Sequence, residues 1–574
     1  MWLRAYNHMT LTELNLGFNQ IGDIGAQSLG DALQHNKTLT TLNLDDNKIE
    51  DLGAQFLGNA LQHNITLTTL YLGLNQIGDI GAQSLRNALR RNTTLTTLQL
   101  SENQVGDIGA QSLGDALKHN ITLATVDLGG NEIGDVGGQF LGDALKRNAT
   151  LTTLDLQNNE IGDVGAQSLG YGFQHNTTLV TLNLWNNEIR DVGAQSLGDA
   201  LKHNTTLTTL KLGGNQIEDL GARSFGDALQ HNTTLTISDL GSNQIEQVGA
   251  QSLSAALKHN TTLTTLDLNY NNIGDVGAQF LGDALQHNTA LIELNLGYNQ
   301  VGDVGTQSLG DALQHNATLT ELYLLDNLTM SIIQSILAML PNLTHLRLIT
   351  SEPNEDYSLF DGYRWEKFIQ TNLLQSKQFE FCFLPRVKTQ QDLTLMDALV
   401  LSYQTPFWIE NKHWIVKFDC ESKKYDLKRY TNVTSMSEDN INYFGQTRLY
   451  TIPIIRDKFG YFDRQTQVSQ RTYEDVFEGI KVVYEGTIIL NSVSNIIDNN
   501  QTIIVDVNEL ILNVNSIIME SIQDKNDSIM NYKFQNVKYL TLLIYEKWPI
   551  NLIEHLSTIV NLWNIDILIL DFQC

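Results

Sequence analysis

The sequence predicts an α/β solenoid over residues 1–350, in which short parallel strands alternate with helices. A unit of 28 residues recurs without insertion, and apolar residues alternate at the start of every unit, as they do in a strand. The second half of each unit has apolar residues at helical spacing. At 574 residues the chain is too long for one compact core, which an array of repeats does not need.

The repeat changes little from copy to copy. The segment LTTLNLDDNKIEDLGAQFLGNALQHNIT begins at Leu39 and returns 28 residues later as LTTLYLGLNQIGDIGAQSLRNALRRNTT. Eleven regular copies begin at Leu11, Leu39, Leu67, Leu95, Leu123, Leu151, Leu179, Leu207, Leu235, Leu263 and Leu291. A degenerate copy begins at Leu319, and a further strand is predicted at Leu343.

Each repeat starts with a strand whose inward leucines stack on those of the neighbouring repeats. An asparagine follows this strand in every regular copy, from Asn19 and Asn47 to Asn299. A buried amide satisfies both the donors and the acceptors of a turning backbone. These asparagines are therefore predicted to form a buried structural ladder.

A helix of the form GAQSLGDALQHN completes each repeat. Asp51 and its equivalents come just before this pattern and are predicted to cap the helix that follows them. Asn36 and its equivalents are predicted to end the helix in the left-handed conformation. Gly25 and its equivalents are predicted to allow the close approach of neighbouring turns.

The 28-residue period, the pattern L-x-x-L-x-L-x-x-N and the helix GAQSLGDAL closely resemble leucine-rich repeats of the ribonuclease-inhibitor type. The phrase IGDxGAQSLxxALxxNTTLTTLxL is most similar to the repeats of NOD-like receptors, and more distantly to those of Ran GTPase-activating proteins. The resemblance covers residues 11 to about 350. It implies a horseshoe with parallel strands on the concave face, helices outside and a role in protein recognition. The phosphate loop G-x-x-x-x-G-K-[ST] does not occur in the sequence, so ATP-driven assembly is not implied.

Charge and composition restrict the partners and the compartment. The formal net charge of −28 repels phosphate backbones and anionic lipid, so the sequence favours a basic or mixed-charge protein over nucleic acid or membrane. The lack of a long apolar stretch or an export leader predicts a cytoplasmic protein. Cys382, Cys420 and Cys574 lie far apart, which indicates reduced thiols rather than disulfides or a metal site.

Nine histidines share one column of the repeat: His35, His63, His119, His175, His203, His231, His259, His287 and His315. The column falls at the predicted helix C-termini, where an imidazole interacts favourably with the helix dipole. No second column of ligand residues accompanies it. The sequence therefore predicts neither a metal nor another cofactor.

The repeats differ from one another mainly at the outward strand positions and in the loop just after them, and these columns are the predicted binding surface. Exposed aromatic residues on a rigid concave face are good binding anchors, and acids attract a basic partner. The predicted partner-binding residues are Trp185, Tyr270, Tyr298, Tyr71, Tyr323, Asp127, Asp155, Asp239, Asp267, Asp45, Asp46 and Glu102. The alternative is that the acids only keep a long repeat array soluble.

Residues 351–574 lose the 28-residue period, and an irregular α/β region is predicted there. Its segments VNELILNV, VKYLTLLIY and IDILILDF are similar to irregular leucine-rich repeats of F-box proteins, so the region is interpreted as divergent repeats. The segment FWIENKHWIVKF from Phe407 predicts a hairpin. His413 with Asp419 or Cys420 has no third orienting group in the sequence, and no enzyme is predicted.

Three functions are open at this point. The first is a non-catalytic scaffold that recognises a protein along the concave face. The second is a regulator of a small GTPase of the Ran-activator type, and the third is a substrate adaptor of a ubiquitin ligase. The sequence shows no polar cap before the first repeat, and a strand pattern runs up to residue 574. Three interpretations are open: the coding sequence is incomplete, a partner covers each apolar end, or self-association through the uncapped solenoid ends covers it.

Overall fold

The computed structural model describes residues 11–313, 315–319, 321–323 and 361–372, and the backbone of eleven further strands between residues 345 and 572. Two compact units divide the chain: residues 1–160 with 460–574, and residues 161–459. Each unit is described by itself below.

In the first unit, strands of three residues alternate with helices along residues 11–160. The elements are β1 (Glu13–Asn15), α1 (Asp23–Leu33), β2 (Thr41–Asn43), α2 (Asp51–Leu61), β3 (Thr69–Tyr71), α3 (Asp79–Leu89), β4 (Thr97–Gln99), α4 (Asp107–Leu117), β5 (Thr125–Asp127), α5 (Asp135–Leu145) and β6 (Thr153–Asp155). Strands β1 to β6 pair in chain order and in parallel, each residue with its equivalent in the next repeat, as in Leu42 with Leu70.

The second unit continues the same alternation. Its elements are α6 (Asp163–His175), β7 (Thr181–Asn183), α7 (Asp191–Leu201), β8 (Thr209–Lys211), α8 (Asp219–Leu229), β9 (Ile237–Asp239), α9 (Gln247–Leu257), β10 (Thr265–Asp267), α10 (Gly274–Leu285), β11 (Glu293–Asn295), α11 (Asp303–Leu313), β12 (Glu321–Tyr323), β13 (His345–Ile349), α12 (Gly362–Asn372), β14 (Gln378–Phe383), β15 (Trp414–Ser422) and β16 (Phe444–Pro453). Strands β7 to β12 pair in parallel and in chain order. The predicted α/β solenoid is confirmed in the parts of both units that carry the repeats.

Beyond the repeats, the second unit has a mixed sheet. Strand β13 pairs in parallel with β14, and β16 pairs antiparallel with both β14 and β15. The predicted hairpin from Phe407 falls partly outside the described residues, since only its last residues, from Trp414, lie in β15. His413 lies outside them as well.

The remaining strands belong to the first unit. They are β17 (Ile480–Val482), β18 (Thr487–Leu490), β19 (Ile503–Asp506), β20 (Glu509–Val514), β21 (Tyr532–Gln535), β22 (Tyr539–Ile544) and β23 (Ile567–Phe572). Strands β18, β20, β22 and β23 pair in parallel in that order, and β23 pairs in parallel with β1. The expectation of an open edge at the first repeat is therefore wrong, because β23 supplies the backbone partner of β1.

The core of each repeat is apolar, and from Asn47 onward the asparagine after the strand is buried within it. Asn75 donates from Nδ2 to the carbonyl oxygens of Leu44 (2.9 Å), Leu72 (3.2 Å) and Gly73 (2.9 Å). Its Oδ1 accepts a hydrogen bond from the N–H of Ile49 at 3.0 Å. Leu44 and Ile49 belong to the preceding repeat, so the asparagine ladder is confirmed and each rung joins two repeats.

The aspartate at the start of most repeat helices caps a different helix from the predicted one; α9 has Gln247 at this position. Asp51 Oδ1 accepts hydrogen bonds from the N–H groups of Gly78 and Gly81, both at 2.8 Å, at the start of α3. Its own helix, α2, is capped in the same way by Asp23 of the preceding repeat. The reason is positional: Asp51 is already helical, and the extended cap residue before it is Glu50.

The close fit of the repeats explains the glycine at the third helical position. A β-carbon at Gly53 would lie 2.6 Å from Asp23 Oδ1 and 2.7 Å from Ile49 Cγ2. The predicted close approach is thus real, and it includes the capping carboxylate.

The asparagine at the end of each helix is not left-handed, contrary to the prediction. Asn64 is buried, and its Nδ2 donates to the carbonyl of Leu33 in the preceding repeat at 2.8 Å. Its Oδ1 accepts from the N–H groups of Thr66 (3.0 Å) and Leu67 (2.7 Å). The asparagines at the helix ends therefore form a second hydrogen-bonded ladder between repeats, and their backbone angles are ordinary.

Candidate functional site

Each repeat contributes three residues to a surface on the side of the strands away from the core, called here the strand-end surface. Its first position is the last residue of the strand, its second lies two residues later, and its third follows directly, as in Asp127, Gly129 and Gly130. Polar residues at the first of these positions share one local geometry. Asp127 Oδ1 accepts the N–H of Gly129 at 2.9 Å, and Asn43 Oδ1 accepts the N–H of Asp45 at 2.8 Å. Aspartate and asparagine therefore make the same turn here, with or without a charge.

In residues 11–160 the predicted acids lie close enough to influence one another. Asp127 and Asp155 are paired residues of neighbouring strands. Burial raises the pKa of both Asp45 and Asp127 above the ordinary value of 3.8. The carboxylate of Asp155 raises the pKa of Asp127 further, while the N–H of Gly129 opposes the rise by stabilising the charged form.

Asp46 and Glu102 are the two predicted acids that are exposed on this surface. The carboxylate of Glu102 lies over Gly130 of the next repeat, where a β-carbon would meet it at 2.5 Å. A glycine at that position therefore lets the acid lie flat against the backbone.

In the second unit two acids and one base occupy successive strands. Lys211, Asp239 and Asp267 are paired residues of β8, β9 and β10. Burial raises the pKa of Asp239 and Asp267, the Asp267 charge adds to the rise at Asp239, and the Lys211 charge opposes it. Asn295 Nδ2 donates to Asp267 Oδ2 at 3.0 Å.

The raised pKa values predict how these acids affect stability. A carboxyl whose pKa is higher in the folded than in the unfolded chain disfavours folding when it is charged, and this penalty disappears as the pH falls through the folded pKa towards 3.8. The variant Asp239→Asn/Asp267→Asn should therefore have a higher free energy of unfolding than the parent at pH 7. The difference should shrink as urea unfolding is repeated at lower pH. A variant less stable than the parent at pH 7 would refute this reading.

The third position of the strand-end surface has left-handed backbone in both units. Positive φ angles occur at Phe18, Asp46, Leu74, Glu102, Gly130, Asn158, Asn186, Gly214, Ser242, Tyr270 and Tyr298. Such a conformation costs a non-glycine residue about 1–3 kcal/mol, most for bulky side chains. Phe18, Leu74 and Tyr270 nevertheless occupy it, with 66%, 49% and 50% of their surface exposed.

Aromatic side chains of the strand-end surface make close contacts at two places. The rings of Tyr270 and Tyr298 stack with centroids 3.8 Å apart and planes 16° from parallel. The indole of Trp185 lies over Gly213, where a β-carbon would be 2.7 Å from Trp185 Cδ1 and 2.7 Å from Asp239 Oδ1. The structure thus brings an aromatic ring and an acid to the same glycine.

The other two predicted aromatics are placed less fully. Tyr71 ends β3 and is half-buried. Tyr323 ends β12, but its side chain lies outside the described residues.

Sequence variation identified the columns of this surface but not their backbone. The glycines at 130 and 214 were the available signal, because they occupy the column where the other repeats have a side chain. Glycine adopts positive φ angles without strain, so its presence in this column indicates left-handed backbone. Gly213, on which Trp185 and Asp239 converge, was also missed by sequence reasoning.

Histidines of the repeated column contact the backbone of their own helix. Nδ1 of His231 and of His287 lies 3.0 and 3.1 Å from the carbonyl oxygen four residues earlier. Among the described residues, no group of three histidine, cysteine or acidic side chains is arranged to hold a metal. In the same part of the chain, every helix is too short or too polar to cross a bilayer.

A family model described as leucine-rich repeat matches eleven segments, at residues 7–30, 35–58, 63–85, 91–114, 119–142, 147–170, 175–198, 203–226, 231–254, 259–282 and 287–310. No curated protein matches the chain significantly.

Three solved structures illustrate the similarity. An internalin from Listeria monocytogenes is 24% identical, with 55% of this chain and 86% of that chain covered and a TM-score of 0.33. The leucine-rich repeat domain of APL1 is 19% identical, with 54% and 72% covered and a TM-score of 0.33. Actin-binding site 2 of leiomodin-1 is 23% identical, with 25% and 84% covered and a TM-score of 0.23.

Proposed function

Because the repeats between residues 7 and 310 belong to the leucine-rich-repeat family, we propose that the chain is a non-catalytic scaffold that binds a basic or mixed-charge protein through its strand-end surface. Leucine-rich repeats serve as protein-binding scaffolds in general.

The observation that carries the proposal is the occupancy of the left-handed column. Gly130 and Gly214 meet its backbone requirement without strain, yet Phe18, Leu74 and Tyr270 accept the strain and remain exposed. Folding does not benefit from an exposed apolar side chain in a strained conformation. Binding does benefit, since a rigid exposed ring loses little entropy when a partner covers it.

The charges beside these rings indicate the kind of partner. Asp239 lies at the glycine that Trp185 covers, and Asp267 lies on the next strand. A cation that approaches an aromatic face and a carboxylate together is stabilised by both. Lysine and arginine side chains of a partner fit this combination best.

The test is capture of partners from a cell lysate by the full chain and by the variant Trp185→Ala/Tyr270→Ala/Tyr298→Ala, with bound proteins quantified by mass spectrometry. The amount of basic protein captured should fall at least about tenfold with the variant, since the loss of one anchor residue costs about 2 kcal/mol or more and a tenfold change in affinity corresponds to about 1.4 kcal/mol. Capture should also weaken as salt rises.

Two matched variants separate anchoring from other effects. Tyr171→Ala/Tyr363→Ala removes two exposed tyrosines from helices and should leave capture unchanged. Asp127→Asn/Asp155→Asn/Asp239→Asn/Asp267→Asn removes four charges but keeps the acceptor of each turn, and should weaken capture and its salt dependence together. If the same partners bind the aromatic variant and the charge variant as well as they bind the parent, the strand-end surface is not the binding site.

The GTPase and ligase alternatives stay predictions. A small GTPase incubated with the chain would hydrolyse GTP faster if the Ran-activator reading holds, and hydrolysis should be unchanged if the chain is only a scaffold.

A further inference from the structure

The ninth repeat, residues 235–262, departs from the others at two positions that join neighbouring repeats. It has Gln247 at the start of its helix and Ser238 in the middle of its strand. Every other regular repeat has aspartate at the first of these positions and leucine or valine at the second. Both changes affect the junction between the ninth repeat and the tenth, residues 263–290.

The first change removes a side-chain cap that crosses this junction. One repeat earlier, Asp219 Oδ1 accepts a hydrogen bond from the N–H of Gly249 in α9 at 2.7 Å. In α10 the N–H of Gly277, at the equivalent position, reaches the carbonyl oxygen of Ile273 at 3.3 Å. A hydrogen bond to a charged acceptor is roughly twice as strong as one to a neutral acceptor. A strong bond between repeats is therefore replaced by a longer, neutral bond within α10.

The backbone at the start of α10 is rearranged to make this bond. Ile273 is helical, with φ −64° and ψ −41°, whereas the cap residue of α9, Glu246, is extended. Gly274 has a φ of +63°, and its N–H donates to the carbonyl oxygen of Asn299 at 2.9 Å. The Oδ1 of Asn299 accepts from the N–H of Ile273 at 3.3 Å, against 2.9 Å for the equivalent bond one repeat earlier. The asparagine ladder is thus stretched where the aspartate cap is missing.

The second change reduces apolar contact at the same junction. Ser238 is buried, with 1% of its surface exposed, and pairs with Leu210 of β8 and Leu266 of β10. Serine lacks the branched aliphatic carbons that the leucines of neighbouring strands stack on. Because buried apolar contact is a main source of stability, β9 and β10 hold together less tightly than strands that have leucine on both sides.

From these two changes we infer that the junction between the ninth and tenth repeats is a hinge, which opens locally more readily than the junction before it. In a repeat array each repeat contacts only its neighbours, so the free energy of one junction sets how often the array opens there. Asn271 and Asn288 still bond to the ninth repeat, so the hinge is closed in the ground state.

The hinge divides the strand-end surface into two parts. Trp185 and Asp239 lie before it, and Tyr270 and Tyr298 lie after it. A partner that contacts both parts binds the closed form better than the open form, so its binding closes the hinge. This consequence rests on the proposed function, whereas the hinge itself does not depend on a partner.

Hydrogen exchange of the full chain without a partner, followed by mass spectrometry, tests the hinge. The N–H of Leu240 donates across it to the carbonyl oxygen of Asp267 at 2.8 Å. The N–H of Leu212 donates across the preceding junction to that of Asp239, also at 2.8 Å. After correction for intrinsic rates, the peptide that contains Leu240 should exchange at least about tenfold faster than the peptide that contains Leu212.

Reciprocal variants repair the hinge or create a second one. Ser238→Leu/Gln247→Asp gives the ninth repeat the residues of its neighbours and should slow exchange at the hinge at least about tenfold. Leu210→Ser/Asp219→Gln places the same pair one repeat earlier and should accelerate exchange at the preceding junction. The control Gln247→Ala should exchange like the parent, because the first N–H groups of α10 bond to backbone carbonyls and not to this side chain.

Circular dichroism establishes that each variant is folded. Equal protection of Leu240 and Leu212 in the parent overturns the inference. So does a folded Ser238→Leu/Gln247→Asp variant in which the Leu240 peptide exchanges as fast as in the parent. If the Leu210→Ser/Asp219→Gln variant does not fold, these two comparisons still decide the outcome.

Discussion

Replacing Asn215 with alanine is expected to lower the free energy of unfolding by about 3 kcal/mol, since each buried polar group left without a partner costs about 1–3 kcal/mol. The Asn215 amide donates to the carbonyls of Leu184 (3.0 Å), Leu212 (2.9 Å) and Gly213 (3.2 Å). Its Oδ1 accepts from the N–H of Ile189 at 3.0 Å. Alanine satisfies none of these groups. Urea unfolding followed by circular dichroism measures the loss.

Asn59→Ala is the matched control for this substitution. Asn59 is exposed on α2, where alanine is the better helix former, so its replacement should change the unfolding free energy by no more than about 0.5 kcal/mol. Equal losses in the two variants would mean that the ladder contributes nothing beyond an ordinary surface asparagine.

Replacing Gly81 with alanine is expected to destabilise the chain by about 2 kcal/mol, the size of an overpacking defect. The added β-carbon would lie 2.6 Å from Ile77 Cγ2, 2.8 Å from Asp51 Oδ1 and 3.1 Å from Ala54 Cβ. Ile77 and Ala54 are fully buried, so they have little room to move. Thermal and urea unfolding should both show the loss.

The same change at Gly58 should have the opposite sign. There the added β-carbon would be 3.3 Å from the carbonyl oxygen of Ser84, and the equivalent positions hold Arg86 and Ser254 in other repeats. Removing a helical glycine is worth up to about 1 kcal/mol. A loss at Gly58 as large as that at Gly81 would rule out close packing as the cause.

The repeat architecture was predictable because the same positions of every 28-residue repeat are buried, so the pattern of apolar residues recurs with the same period. The leucines of the strand and Asn75 face the same environment in every copy, so their recurrence indicates both the strand and the ladder. The helix that Asp51 caps was not predictable. The N–H donors that its carboxylate accepts from lie 27 and 30 residues further on, and a local pattern does not distinguish them from the N–H groups of its own helix.

The sequence predicted which repeat positions form the candidate surface, but it did not predict their backbone conformation. Differences among the repeats identified Trp185, Tyr270 and Asp239. The stacking of Tyr270 on Tyr298 depends on left-handed backbone at both residues, which neither tyrosine favours. The raised pKa of Asp239 depends on its burial, which only the packed strands establish.

The aspartate caps also impose a direction on the assembly of the protein. The carboxylate of Asp191 accepts hydrogen bonds from the first N–H groups of α8, and that of Asp219 from those of α9, in both cases from one repeat to the next. A ribosome synthesises the acceptor about 27–30 residues before its donors, and domains fold from the N-terminus during synthesis. Where the preceding repeat carries this aspartate, the helix that emerges finds its capping acceptor already synthesised; the exception is α10, since the preceding repeat has Gln247 at that position.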